Sequence, residues 1–326
     1  MKFFSIIFLA FSFSQWHSVN HNGLERFYYV SYPQNAQEPV SLIINMHGYG
    51  GNAAQQMSYT QMDQYAHSQN MAVVYPQGLN NSWNVFTYWD SNFYDDVGFI
   101  SLMIDQVSID YSIDLNRVYA CGMSNGGYMA YRLACDLSDK ITAFGSVTGN
   151  MMINSDLNDC LDMERDIPII HFHGTADPIV NYYPPTFDQS LTVGESILFW
   201  SDYHDFNIEN FEILNSNVEK FTYSNNNSSA NFVHYKVNGG GHVWFDYSWG
   251  FHASEELVNF FSEFKLDDFT IILGDCNNDG LVNIQDVIFG INIILNESSF
   301  VPSADLNSDN AIDILDIVII VDIILN

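Results

Sequence analysis

Basic residues are scarce: nine Lys and Arg stand against 39 Asp and Glu in 326 residues, a formal net charge of -30. A nucleic acid or an anionic membrane surface would meet like charge over most of such a molecule, which excludes both and leaves neutral or cationic partners open. Cysteine is sparse too. Four (Cys121, Cys135, Cys160 and Cys276) are too few for a disulfide scaffold, although one pair is permissible in an exported protein. Long apolar runs are missing: Phe3 to Phe13 covers about eleven residues where a bilayer span needs about 20. The run from Ile312 to Leu325 is interrupted by Asp313, Asp316 and Asp322. No transmembrane helix is therefore expected. What is abundant is apolar and aromatic side chains, 47% and 15% of the chain, enough to bury a sizeable core despite the charge. The length suggests roughly two domains.

Lys2, the short apolar run after it and the small residues Ser12 and Ser14 have the form of a secretory signal peptide, placed at residues 1–14. At the other end, residues 274–326 hold nine acids and no Lys or Arg, leaving 30 of the 39 acids and all nine bases ahead of them. This tail is a separate compositional unit whose carboxylates need water or metal as counter-partners.

Between these ends, short apolar runs alternate with helix-like ones. VSLIINMHG, MAVVYPQG, RVYACGM, ITAFGSV, IPIIHFHG and NFVHYKV read as strands; AAQQMSYTQMDQYAHSQ, DDVGFISLMIDQVSID, NGGYMAYRLACDLS and a final stretch from about Ala253 to Phe264 read as helices. Strand and helix in alternation indicate βαβ units on a parallel sheet. The expected layout is an α/β domain over 15–265, a linker over 266–273 and the tail over 274–326.

The tail is an internal duplication with a 30-residue offset, from GDCNNDGLVNIQDVIFGINIIL at Gly274 to ADLNSDNAIDILDIVIIVDIIL at Ala304. Asp275, Asn277, Asp279, Asn283 and Asp286 occupy positions 1, 3, 5, 9 and 12 of a loop, as do Asp305, Asn307, Asp309, Asp313 and Asp316. That is the spacing with which an EF-hand loop surrounds calcium, position 7 (Leu281, Ala311) giving a backbone carbonyl. Gly280 and Asn310 take the sharp-turn position. With Asp at position 12 and an apolar helix only after each loop, the tail resembles a type I dockerin module. The resemblance implies a small all-α domain of paired EF-hand-type loops, two structural calcium ions and a cohesin-like partner.

GMSNG at Gly122–Gly126 fits the G-x-S-x-G elbow, in which glycines permit a strained strand-to-helix turn that exposes the serine. The flanking strand and helix supply the required context, making Ser124 the candidate nucleophile. A serine hydroxyl needs an imidazole to take its proton and a carboxylate to hold that imidazole. The order Ser, Asp, His singles out Asp177, in HGTADPIVNY just past a strand, with Asp188 as the fallback. NGGGHVWFD then brings His242 into a cleft. His204, His234 and His252 compete on composition, but His234 lies within a strand and His252 begins a helix. Tyr49, in NMHGYGGNA, and Asn125 are the candidate backbone donors of an oxyanion hole. His47 is expected to brace the loop. His171 and His173, two apart on a strand, have the spacing of two metal ligands but no third in view. Cys135 and Cys160, at the ends of elements, are the better disulfide candidates; Cys121 lies within an apolar strand.

HGYGGNA, YPQG, DDVGF, RVYACGMSNGG, RLAC, HFHGTADPIV and GGGHVW, in that order, resemble the LpqC-type secreted esterases, the family of feruloyl esterases and polyhydroxybutyrate depolymerases. The likeness covers about residues 20–264. It implies an α/β-hydrolase fold, a mostly parallel sheet flanked by helices, with Ser124, Asp177 and His242 as the triad. It also supports a Cys135–Cys160 disulfide. Many relatives have adjacent cysteines ahead of DDVGF; this chain reads NSWNVFTYWDSNFYDDVGF with none, so the loop has its own shape. Aromatic residues crowd the loops near the triad: Trp83, Phe86, Tyr88, Trp89, Phe93 and Tyr94, then Tyr182, Tyr183 and Phe187, then Trp244, Phe245, Tyr247 and Trp249. The expected protein is an exported serine esterase removing feruloyl or acetyl groups from a polysaccharide, without a catalytic cofactor. A polyhydroxybutyrate depolymerase, or a non-catalytic calcium-dependent binding protein, is the alternative.

Overall fold

The computed structural model describes residues 14–87, 92–152, 160, 163, 165–186, 190–269, 273–277, 281–296, 301–307, 309 and 311–325. The expected signal peptide up to residue 13, Tyr88, Trp89, Phe187, Asp188, Asp279, Gly280 and Asn310 lie outside the described residues. The chain divides into two compact units, Met1–Asp268 and Phe269–Asn326.

In the first unit ten strands form one sheet in the order β1-β2-β4-β3-β5-β6-β7-β10-β9-β8. The strands are β1 (Gln15–His21), β2 (Leu24–Ser31), β3 (Val40–Met46), β4 (Met71–Pro76), β5 (Ile113–Met123), β6 (Ala143–Val147), β7 (Ile169–Gly174), β8 (Ile208–Asn215), β9 (Val218–Ser224) and β10 (Asn231–Val237). From β4 to β10 every neighbouring pair is parallel, while β1, β2, β8 and β9 pair antiparallel at the two edges. The parallel strands β3, β4, β6 and β7 are buried along their whole length, as continuous apolar runs covered on both faces must be.

The helices are α1 (Ala53–Thr60), α2 (Met62–Ser68), α3 (Asp96–Asp110), α4 (Asn125–Asp136), α5 (Val193–Tyr203) and α6 (Ala253–Ser262). The single helix read over AAQQMSYTQMDQYAHSQ is two, broken where Gln61 adopts a left-handed φ of 49°. Four of these helices, α1, α3, α5 and α6, carry a side-chain cap at their start. Asn52 caps α1 by accepting from Gln55 N–H, and Thr192 with Glu195 forms a capping box on α5.

Cys135, near the end of α4, is disulfide-bonded to Cys160 across a Cα separation of 4.4 Å. A closed loop of 25 residues stabilises by about 3.5 kcal/mol in the chain-entropy treatment, because the unfolded chain loses freedom. Cys121 is fully buried in β5, and burial raises its thiol far above the ordinary range. In the thiol form it is a poor nucleophile.

The second unit contains α7 (Ile284–Asn296) and α8 (Ile314–Leu325), one after each duplicated loop. Cys276, Val287, Ile293, Ala304, Ile317 and Ile320 form its core. Both helices are apolar nearly all round, so one face packs inward and another, including Ile288, Phe289, Val318 and Ile319, remains exposed.

Candidate active site

Ser124, Asp177 and His242 each follow the carboxyl end of a parallel strand, β5, β7 and β10 in turn, and the 47–52 loop follows β3. Open α/β sheets place their sites along this edge, where loops from adjacent strands converge.

The turn at Ser124 is strained, with φ 53° and ψ -120°. It persists because both sides are fixed: Ser124 N–H donates to Val147 O at 2.9 Å and Tyr128 N–H donates to Ser124 O at 2.9 Å. A Cβ on Gly126 would collide with the carbonyl oxygens of Met46 and His47, so only glycine lets the first turn of α4 lie against the end of β3. Ser124 precedes α4 without using its hydroxyl as a side-chain cap. Its backbone strain therefore presents the hydroxyl above a helix N-terminus, where orphan N–H groups and the dipole favour negative charge.

Asp177 and His242 are brought together by two interlocked loops. Thr175 N–H donates to Val237 O at 2.9 Å, Ala176 N–H to Gly240 O at 2.9 Å, and Gly239 N–H to Thr175 Oγ1 at 2.9 Å. Asp177 Oδ2 lies 2.8 Å from His242 Nδ1, while Oδ1 accepts from Ile179 N–H at 2.8 Å and Val180 N–H at 2.9 Å. Burial alone would push the Asp177 carboxyl up. The bond and charge of His242, with the Ile179 N–H and the neighbouring His173, outweigh it and hold the group below the usual carboxylate range. The carboxylate thus holds the proton of His242 on Nδ1 and leaves Nε2 as the basic nitrogen.

Ser124, His242, His47, Gly48 and Tyr49 share the wall of a cavity of about 290 Å³. Gly78 N–H points at His47 Nε2 from 3.0 Å, so Nε2 accepts and the proton sits on Nδ1, which donates to Gly48 O at 2.8 Å. Burial, opposed in part by that carbonyl bond, lowers the His47 pKa to about 4. His47 therefore stays neutral and draws the Gly48 carbonyl toward itself. In a trans peptide the N–H of Tyr49 then points the other way. Trp83 Nε1–H donates to His47 O at 2.8 Å, which braces the same loop from below.

Asn125 serves twice. Its backbone N–H opens α4, and its buried side chain clamps Trp83: Trp83 N–H donates to Oδ1 at 2.7 Å and Nδ2–H donates to Trp83 O at 3.1 Å. Sequence reasoning missed this clamp, since nothing in the order of residues pairs positions 83 and 125. It also missed Arg26, whose buried guanidinium meets Asp96 at 2.6 Å. Desolvation still raises the Asp96 pKa despite Arg26, and the carboxylate also receives Asn84 N–H at 2.7 Å, anchoring the aromatic loop.

Of the aromatic residues, Trp83, Trp244 and Phe245 are core, whereas Phe86, Phe93, Tyr183 and Tyr247 are exposed. His171 and His173 belong to a buried chain of hydrogen bonds. His173 Nε2–H donates to Val180 O at 2.8 Å, so Nδ1 accepts from His171 Nε2–H at 3.0 Å, and His171 Nδ1 accepts from Tyr131 OH at 2.6 Å. These rings support the Asp177 loop from behind.

Burial lowers the pKa of His173 to about 4 and that of His234 to about 3. Folding therefore excludes protons that the unfolded chain binds below about pH 6.5. The stability of the first unit is full above that pH and falls as pH drops toward 4, by about 3 kcal/mol for His47 alone. All six tryptophans precede residue 269, so fluorescence-monitored urea unfolding reports this unit. Its midpoint should fall between pH 7.5 and 4.5; an unchanged midpoint would show that these histidines are charged in the fold.

In the second unit Asp286 and Asp316 are fully buried. Asp286 accepts N–H groups from Asn277 (3.2 Å) and Asn283 (2.8 Å), and Asp316 from Leu306 (2.9 Å), Asn307 (3.2 Å) and Asp313 (2.9 Å). Asp275 and Asp305 are buried as well. Among the described residues no three His, Cys, Asp or Glu side chains are gathered as a ligand set, and Asp279 lies outside them. The donor set is mixed, however, with amide and carbonyl oxygens beside the acids. Buried carboxylates folded over loops that encode no cation fit a hard divalent ion.

Comparison with known proteins agrees with this architecture. Residues 30–189 match the phospholipase/carboxylesterase family and residues 273–325 match the type I dockerin domain. A bifunctional acetylxylan esterase/xylanase of Neocallimastix patriciarum is 32% identical over 160 residues, 49% of this chain and 22% of that protein. Feruloyl esterase D of Neurospora crassa is 28% identical over 177 residues, 50% of this chain and 57% of that one. The chain thus spans less than two thirds of the length of either relative. An acetyl xylan esterase from Aspergillus awamori superposes with a TM-score of 0.58 at 15% identity, over 76% of this chain and 99% of that one, a likeness of fold. The fold is that of the α/β-hydrolases. The phospholipase/carboxylesterase match falls in the first unit and the type I dockerin match in the second.

Proposed function

We propose that this is an exported serine carboxylic-ester hydrolase that removes acetyl or feruloyl groups from a polysaccharide, and that residues 269–326 attach it to a cohesin-type partner. The observation that carries the proposal is the 2.8 Å contact of His242 Nδ1 with buried Asp177, in a cavity that His242 shares with Ser124 on its strained turn. Ser124 Oγ attacks the ester carbonyl while His242 Nε2 takes its proton, and Asp177 stabilises the imidazolium. The carbonyl oxygen becomes an oxyanion, met by the N–H groups of Tyr49 and Asn125. His242 then returns the proton to the departing alcohol. Water, deprotonated by the same nitrogen, attacks the acyl-enzyme, and collapse releases the acid and restores Ser124.

Acetylxylan and feruloyl esterase relatives favour a polysaccharide-borne ester. The signal-like N-terminus favours export, and among the described residues no helix is long and apolar enough to cross a membrane. The exposed apolar faces of α7 and α8 suit a protein partner. Calcium would be held by Asp275, Asn277, Asp279, Leu281 O, Asn283 and Asp286, and by Asp305, Asn307, Asp309, Ala311 O, Asp313 and Asp316, two ions in all. It would neutralise clustered carboxylates. Assays on methyl ferulate, acetylated xylan and polyhydroxybutyrate test the substrate class: release of ferulate or acetate is expected, and turnover of the polyester alone would replace this reading with a depolymerase.

A further inference from the structure

Beside the 290 Å³ cavity lies a larger groove of about 920 Å³, walled by α1, α2 and the 244–252 loop. Gln55 and Tyr59 line both, so the two adjoin. An acetyl or feruloyl group needs no such second volume, and none of the candidate triad lines it.

Its surface has a definite chemistry. Tyr59, Tyr65 and Tyr247 supply rings, and Gln55, Gln64 and Asp246 supply amides and a carboxylate. Tyr59 and Tyr247 are about half exposed, at 48% and 58%. Yet their hydroxyls are tied down: Tyr59 OH accepts Trp244 N–H at 2.9 Å, and Tyr247 OH donates to Glu255 at 2.8 Å and receives Tyr65 OH at 3.4 Å. The rings of Tyr65 and Tyr247 also sit 4.9 and 5.4 Å from that of His252. Exposed rings held in place make a prepared surface, which reduces the entropy lost on binding.

A sugar ring offers a flat face of C–H groups and a rim of hydroxyls, matching rings beside amides and a carboxylate. A polyester chain has no hydroxyls along its length to satisfy those groups. The Ser248 hydroxyl and N–H hold the Asp246 carboxyl below its ordinary range, so the groove carries negative charge and disfavours an acidic polymer. We infer that this groove seats the backbone of a neutral glycan, several sugar units long, while the ester group it bears enters the Ser124 cavity. The inference rests on the ester-hydrolase reading and adds the place where the polymer lies.

Two kinds of measurement separate the claims. Tyr247→Ala and Gln64→Ala, at positions lining only the outer groove, should each lower kcat/KM on acetylated xylan by about tenfold, mainly through KM, from lost stacking or hydrogen bonding. Turnover of p-nitrophenyl acetate should stay within about twofold, because that ester reaches only the inner cavity. Tyr247→Phe, which keeps the ring, should retain most of the activity on the polymer. Equal losses on both substrates, or no loss on the polymer, would overturn the inference. Independently, calorimetric titration of the full-length Ser124→Ala protein with xylohexaose and cellohexaose should show binding to at least one, weakened about tenfold by adding Tyr247→Ala. If the wild-type protein hydrolyses no ester, the catalytic reading fails while this titration still tests the groove. Absence of binding to either hexaose, or loss of adsorption to polyhydroxybutyrate in place of glycan binding, would overturn the assignment.

Discussion

Chelation of calcium should unfold the C-terminal unit and leave the first unit folded, with its proposed activity unchanged. The C-terminal unit spans only Phe269–Asn326, with a core of a few buried residues. A core in a domain this small rarely supplies more than about 3–5 kcal/mol. Against it stand nine acids in residues 274–326 with no Lys or Arg among them, several of them buried. An ion present at about a thousandfold over its Kd adds about 4 kcal/mol per site, comparable with everything the core provides. Calorimetry of the full chain should therefore show two transitions in calcium and lose one in chelator. Titration should give a stoichiometry near two. Magnesium should substitute poorly, since it demands a tighter octahedral oxygen shell than these loops offer. Ester hydrolysis should be unchanged, because Ser124, Asp177 and His242 all lie in the other unit. A single transition indifferent to chelator would contradict the proposal that calcium folds this unit.

What was legible in the sequence follows from how each element is stabilised. Strands buried on both faces are largely apolar runs, so β3, β4, β6 and β7 could be read directly. The edge strands could not. β1 and β8 are largely exposed and carry mixed polar and apolar residues, so their strand state depends on pairing with β2 and β9 and not on burial. α5 escaped notice although Thr192 and Glu195 form a capping box at its start. The break at Gln61 had no proline or glycine to mark it. Around the candidate site, motif order singled out Ser124, Asp177 and His242, because glycines at fixed offsets report backbone shape. The bonds that hold the site together, Asn125 to Trp83 and His47 to Gly78, join residues 42 and 31 apart and left no trace in local pattern.

The largest expected effect is on catalysis. On the proposed mechanism, Ser124→Ala removes the attacking oxygen, His242→Ala the base, and Asp177→Asn the carboxylate that keeps the imidazole in its productive tautomer. Losses in kcat on the order of 10⁴- to 10⁶-fold are expected for each, without addition in the double variants, since the three groups act as one unit. None of the three fills the main apolar core, so the variants should remain folded and keep the Cys135–Cys160 bond. The proposed chemistry depends most on Ser124, whose strained conformation is maintained by its neighbours and whose hydroxyl makes no capping bond. Its most direct test is the steady-state rate of p-nitrophenyl acetate hydrolysis by Ser124→Ala, measured beside the wild-type protein with matched folded fractions. A fall to near background is the predicted result; a rate equal to wild type would show that the hydrolytic site lies elsewhere.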